Sequence, residues 1–335
     1  MPSEKNTRRI PRIFLGGAVL AVGALLLVFF LPVMRPPLTR QAPSVPPSFA
    51  EAVKAIRASI ANTPPEVSPE GTPLLFEHGR PTAKVFVLLH GLSNGPGQFA
   101  ELGRLLFERG HTVYIPRTPY HGEKNRLTDS FGRLTARQML DSGNEAADLA
   151  RGLGPDVTVA GLSINGVTTA WMAQNRSDLY RSVLLAPFLA PNGLPGWTIR
   201  PMERLLLRLP NIFIWWNPVL RDKNPGPSYA YPRFPTRVIG ETMWLGQEVL
   251  RASHQEAPRS SSILVVTSAS DLAANNALTA RLVENWRKLR PGGVETYEFP
   301  KEQKVPHDFI DPNQPDQQTA VSYPKLIELL ERQTP

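Results

Sequence analysis

The chain has 335 residues, 41% hydrophobic and 20% charged, with a formal net charge of +8 and no cysteine. That composition describes a globular protein, long enough for one large α/β domain with insertions or for two ordinary domains. The lack of cysteine excludes disulfides, thiol nucleophiles, thiolate metal sites and a lipidated cysteine. Basic residues are scattered beyond the N-terminus, so the charge reads as a solvated surface and not as a nucleic-acid footprint. The 35 prolines belong in loops, linkers and caps, because proline breaks helix interiors and central strands.

An uncharged apolar stretch of bilayer-spanning length runs from Ile13 to Leu31, preceded by Lys5, Arg8, Arg9 and Arg12. By the positive-inside rule, residues 1–34 are expected to be a cytoplasmic basic flank and an uncleaved, single-pass signal anchor, with the remaining chain outside the cytoplasm. The rival reading is a cleaved signal peptide and a secreted protein. Its apolar core would be shorter, and no small-x-small cleavage site follows Leu31. Residues 35–71 read as a semi-rigid proline-rich linker carrying a short helix capped by Ser48, with Val53, Ile56 and Ile60 at helical spacing.

Beyond Gly71 the chain alternates strand-like and helix-like segments. Strands are expected at Leu74–Phe76, Val85–Leu89, Thr112–Ile115, Val157–Ala160, Val183–Ala186, Ile263–Thr267 and Val294–Phe299. Helices are expected over 96–108, from the Thr135 cap to Arg151, over 164–175, around 274–289 and around 315–332. Such alternation implies a parallel sheet covered on both faces, with ligands bound beyond the carboxyl ends of its strands. Residues 191–261 break the rhythm. They are dense in aromatics (Trp197, Phe213, Trp215, Trp216, Phe234, Trp244) and are expected to form a cap or lid. The apolar face of Met202, Leu205, Leu206 and Leu209 is expected to line an acyl pocket, pack the cap or meet a membrane.

The strand Val157–Ala160 runs into Gly161-Leu162-Ser163-Ile164-Asn165-Gly166 and then directly into a helix. A serine at a strand-to-helix turn between small residues is the sequence form of a nucleophile elbow. The turn lifts the hydroxyl clear of the backbone and leaves the Ile164 amide free to face a developing oxyanion. Asp271 stands at the exit of the Ile263–Thr267 strand, and His307 lies in the loop after Val294–Phe299. In this reading His307 takes the proton of Ser163, while Asp271 holds the imidazole tautomer and stabilises its charged form. His90-Gly91-Leu92 directly follows Val85–Leu89 and places the Leu92 amide as the second oxyanion donor; Gly91 permits close backbone approach.

These residues, with Pro119-Tyr120-His121-Gly122, Ser270-Asp271 and His307-Asp308, resemble the α/β-hydrolase superfamily over about residues 72–331. Within it the chain is similar to monoglyceride-lipase-like and serine-aminopeptidase-like esterases. The order Ser…Asp…His is the one that fold uses. The resemblance implies an α/β-hydrolase fold, a mostly parallel sheet with helices on both faces, with its core at 72–190 and 262–335 and a cap insertion at 191–261; the expected N-terminal transmembrane helix comes from the apolar stretch above and not from the resemblance. The resemblance also implies cleavage of carboxylic esters of small or lipid-like alcohols without a cofactor. His90 and His121 are then braces of their loops, not catalysts. The family usually has glycine where this chain has Asn165, which either tilts the elbow, donates to the oxyanion region or merely fits.

His78, His111 and His254 read as surface or turn residues, and no histidine pair has ligand spacing on a helix, so no metal site is expected. Asp308 and Asp311 are rival acids to Asp271, but their nearness to His307 in sequence aims their side chains badly. Two other functions compete: a peptidase or amidase of the same fold, since amides share the acyl-enzyme route, and a catalytically silent binding protein in which Ser163 only caps a helix. The partner expected is an acyl ester at the site and a membrane at the N-terminus, with no nucleic acid. Substrate-binding residues and oligomeric state are not legible.

Overall fold

The computed structural model describes residues 16–17, 19–24, 35–39 and 42–332. Seven strands form the central sheet in the order β1-β3-β2-β4-β5-β8-β9. They are β1 (Leu74–Phe76), β2 (Lys84–Leu89), β3 (Thr112–Ile115), β4 (Asp156–Leu162), β5 (Arg181–Leu185), β8 (Ser262–Ser268) and β9 (Val294–Phe299). All neighbours pair in parallel except β1, which runs antiparallel to β3 at the edge. The inner strands β2, β4 and β5 are apolar almost throughout because both of their faces are covered.

Helices α1 (Phe49–Ala61), α3 (Ala136–Arg151), α4 (Ile164–Asn175) and α7 (Asn276–Leu289) contribute to one core cluster. Helices α2 (Ala100–Glu108) and α8 (Thr319–Glu331) contribute to a second, built on the alternate side chains of the same strands. Caps set the helix starts: Ser48 accepts from the Glu51 amide, and Thr135 with Gln138 forms a capping box. The helix expected over 96–108 opens as a 3₁₀ turn, Pro96–Phe99, and becomes α-helical only from Ala100.

Between β5 and β8 lie α5 (Gly196–Arg208), β6 (Phe213–Trp215), β7 (Arg233–Pro235) and α6 (Thr236–Ser253), with β6 and β7 paired antiparallel. Met202 and Leu206 of α5 pack against the core beneath, while Leu209 is exposed. None of Met202, Leu205, Leu206 and Leu209 lines the pocket over Ser163; Met202 and Leu206 pack the insertion onto the body.

The proline-rich segment lies against the body of the protein. Arg35 donates twice to Glu241 at 2.7 and 2.5 Å and lies 4.5 Å over the Trp244 ring, and the Ser44 amide donates to Asp148. One expectation needs correction: the single-pass membrane anchor, and the localisation that rested on it, finds no spanning helix among the described residues to carry it. Among the described residues no helix is long and apolar enough to cross a membrane. Of Ile13–Leu31 only residues 16, 17 and 19–24 are described. The rest of that stretch lies outside the described residues.

Candidate active site

Ser163 joins β4 to α4 with φ 59° and ψ −114°, a left-handed conformation uncommon for a residue with a side chain. Close contacts on both sides force that turn. A Cβ at Gly161 would sit 2.1 Å from the Asn165 carbonyl oxygen, and one at Gly166 would sit 2.8 Å from Pro187 Cα. The Ser163 amide donates to Leu185 O, and its carbonyl accepts from Phe188, which ties the elbow to the end of β5.

The structure brings Ser163, His307 and Asp271 together from three strand ends. His307 Nε2 lies 2.9 Å from Ser163 Oγ, and His307 Nδ1 lies 2.7 Å from Asp271 Oδ2. With Nδ1–H donating to the carboxylate, Nε2 is the acceptor for the serine proton. Burial alone would raise the Asp271 pKa. The hydrogen bond and charge of His307, together with the Ala274 and Ala273 amides, outweigh it and hold this carboxyl below its usual range. Asp308 and Asp311 do not reach the imidazole as acceptors. Asp308 turns away to Gln98, Gln314 and two backbone amides, and Asp311 turns to Tyr229.

The Leu92 and Ile164 amides both border the pocket, and neither has a hydrogen-bond acceptor among the described residues. His90 is buried, and that burial with the neighbouring His121 pushes its pKa down to about 3. The neutral ring accepts from the Thr118 amide through Nε2 and donates to Gly91 O from Nδ1, fixing the loop that carries Leu92. His121 is pushed down to about 4 by burial and binds Pro119 O in the same loop.

Two residues act where sequence reasoning did not place them. Asn165 neither crowds the elbow nor faces the oxyanion; its Nδ2 donates to His90 O at 2.6 Å and Thr118 Oγ1 at 3.1 Å, pinning α4 to the ends of β2 and β3. Gln98 accepts from the Gly91 amide and donates to Asp308, both at 2.7 Å, so one buried side chain clasps the Leu92 loop to the His307 loop. No local sequence pattern marks Gln98, which falls within the segment expected as helix over 96–108.

The pocket above Ser163 has a volume of about 510 Å³, within the usual range for small-molecule sites. Its lining includes the apolar Phe188, Ile164, Trp216, Phe234 and Ile239 and the polar Asn192, Asn224, Arg126 and Gln314. Trp216 Nε1 donates to Ser93 Oγ and the Tyr231 amide to Ser93 O, so the β5–β8 insertion is seated on the loop carrying Leu92.

Under the pocket, burial and the charge of Asp308 raise the Asp311 pKa to about 7. A folded-state value above the unfolded one means that stability falls as pH rises from about 4 to about 7. Asp311→Asn removes that dependence. Between pH 5 and 8 the stability of the variant relative to the parent is expected to rise by on the order of 2 kcal/mol in urea melts. Parallel curves would contradict the assignment.

Residues 86–327 match the Alpha/beta hydrolase family. No curated protein matches the chain. A metagenome-derived lipolytic enzyme from the LipS and LipT pair superimposes with a TM-score of 0.60 at 16% identity, covering 80% of this chain and 100% of that one. A monoacylglycerol lipase from Paleococcus ferrophilus gives 0.57 at 19% identity, covering 77% and 97%. A soluble variant of the Saccharomyces cerevisiae monoglyceride lipase, bound to a substrate analogue, gives 0.57 at 12%, covering 77% and 89%. At these identities the likeness concerns the fold. The family match, spanning most of the chain with the elbow inside it, shows that this protein belongs to the alpha/beta hydrolase family.

Proposed function

We propose that the protein is a serine hydrolase that cleaves carboxylic esters through an acyl-enzyme. The observation that carries this reading is the continuous Ser163–His307–Asp271 relay at the floor of a pocket flanked by two free amides. Ser163 Oγ attacks the ester carbonyl as His307 Nε2 takes its proton. The carbonyl oxygen gathers negative charge between the Leu92 and Ile164 amides. Collapse expels the alcohol, which leaves with the proton from His307. Water, deprotonated by the same ring, then releases the acid and restores Ser163. Asp271 stabilises the imidazolium in both halves. No step requires a cofactor.

The apolar lining, which includes Phe188, Trp216, Phe234 and Ile239, suits an acyl chain. The lipase activity for which these structural neighbours are named agrees with such substrates. Esters outcompete amides here because an alkoxide leaves more readily than an amine anion. Kinetics with p-nitrophenyl esters of graded chain length against aminoacyl p-nitroanilides test this. Esters are expected to show kcat/KM at least a hundredfold higher. The reverse order would make the protein an amidase, and turnover of neither would leave a binding protein.

Gln98 is a positioning residue in this scheme, acting through the loops that carry Leu92 and His307. Gln98→Leu is expected to lower kcat about 10–100-fold with little change in KM, a fraction of the loss seen when an oxyanion donor itself is removed. A kcat within twofold of the parent would show that the clasp has no part in catalysis.

A further inference from the structure

A second cavity lies on the side of the molecule, where α5 and α6 of the insertion meet α7 of the body, and it shares no lining residue with the pocket over Ser163. Its volume is about 390 Å³. Ile199, Leu250 and Leu278 make a buried apolar floor. Above that floor stand Arg200, Arg251, Arg281 and His254, one or more from each helix or its cap, and no carboxylate lines the cavity. Trp197, at the start of α5, presents its indole at the rim with 80% of its surface exposed.

We propose that this cavity is a second binding site, separate from the catalytic pocket, for a free single-chain organic anion: a carboxylate or phosphate monoester on an apolar body. Scattered basic residues on a positive surface normally pair with nearby acids, as Arg251 does with Glu248 at 2.7 Å. Arg200 and Arg281 have no ion pair within 4.0 Å among the described residues, although Glu203 and Glu284 lie one helical turn from them. Glu203 feels the charge of Arg200 from outside the cavity wall. Arg200 and Arg281 therefore bring positive charge with no ion-pair partner among the described residues to one hollow, and an anion bound there is attracted to both. The apolar floor and the uncovered indole select an anion with an apolar body over a bare inorganic one, because each buries surface that now meets water.

The site also spans a junction that matters to catalysis. The Asn192 amide donates to Ala273 O, Asn192 Nδ2 donates to Asp271 O, and Asn275 Nδ2 donates to Leu194 O. The start of the insertion is thus fastened to the loop that carries Asp271. A ligand held between Arg200 on α5 and Arg281 on α7 braces the same junction. If the reading of the catalytic site is right, the acid released by hydrolysis falls in this ligand class. The binding proposal itself does not need that reading.

Titration calorimetry on the full chain tests it with decanoate, decyl phosphate, decanol, inorganic phosphate and phosphatidylglycerol vesicles. Decanoate and decyl phosphate are expected to bind, and the double variant R200Q/R281Q to weaken them at least tenfold. Decanol and inorganic phosphate are expected to bind at least tenfold more weakly than decyl phosphate. In parallel, both amphiphiles should alter the tryptophan fluorescence of the parent but much less that of W197F. Affinities unchanged by R200Q/R281Q would place the ligand in the catalytic pocket and overturn the proposal. So would phosphate binding as tightly as decyl phosphate, or binding to vesicles alone. All the changed residues are exposed, so the variants should keep the parent's melting temperature. Ester turnover in R200Q/R281Q reports separately on the catalytic reading.

Discussion

Ser163→Ala is expected to lower kcat for p-nitrophenyl esters by about a millionfold, the loss typical of removing the nucleophile from a serine relay. Ester binding should change little. The apolar lining of the pocket is formed by other residues, and alanine leaves the elbow intact because Gly161 and Gly166 create its space. The acyl-enzyme burst should vanish with it. Retention of more than about 1% of kcat would mean that another group attacks the ester.

Asp271→Asn should cost about 10⁴-fold in kcat while the protein stays folded. The reason lies in how the carboxylate is held. Oδ1 accepts from the Ala273 and Ala274 amides, and Oδ2 accepts from His307 Nδ1. An asparagine keeps its carbonyl oxygen on the two amides and turns its NH₂ toward His307. The ring then becomes an acceptor at Nδ1 and carries its proton on Nε2, where it cannot deprotonate Ser163. A loss below tenfold, with an unchanged melting temperature, would show that His307 is oriented by something else.

The sheet and the relay were open to reading because each leaves a local trace. Val85–Leu89, Val157–Ala160 and Ile263–Thr267 are continuous apolar runs, which only strands buried on both faces require. Ser163 and Asp271 each follow such a run, and His307 follows the edge strand Val294–Phe299, which is only partly buried, so their convergence was inferred from topology without knowledge of side-chain contacts. The insertion was less legible. Helix α6 carries Gly240 and Gly246, residues that weaken a helical pattern, yet close packing calls for them. Gly240 passes Leu206 and Leu207, and Gly246 passes Leu189, too closely for a larger residue to fit without shifting them. Helix α5 hides in the same way behind Pro201. The Gln98–Asp308 bond joins residues 210 positions apart, a separation that local pattern does not encode. Asn165 was seen as a departure from glycine, but its partners His90 and Thr118 lie on other strand ends. The N-terminal expectation rested on hydropathy alone, and the described residues do not supply a spanning helix.

The account turns on whether the hydroxyl of Ser163 is nucleophilic and open to the pocket. Incubation with a fluorophosphonate, followed by intact-mass and peptide-level mass spectrometry, reads this directly. One adduct per chain is predicted, on the peptide containing Ser163. An unmodified protein, or an adduct on any other residue, would contradict it.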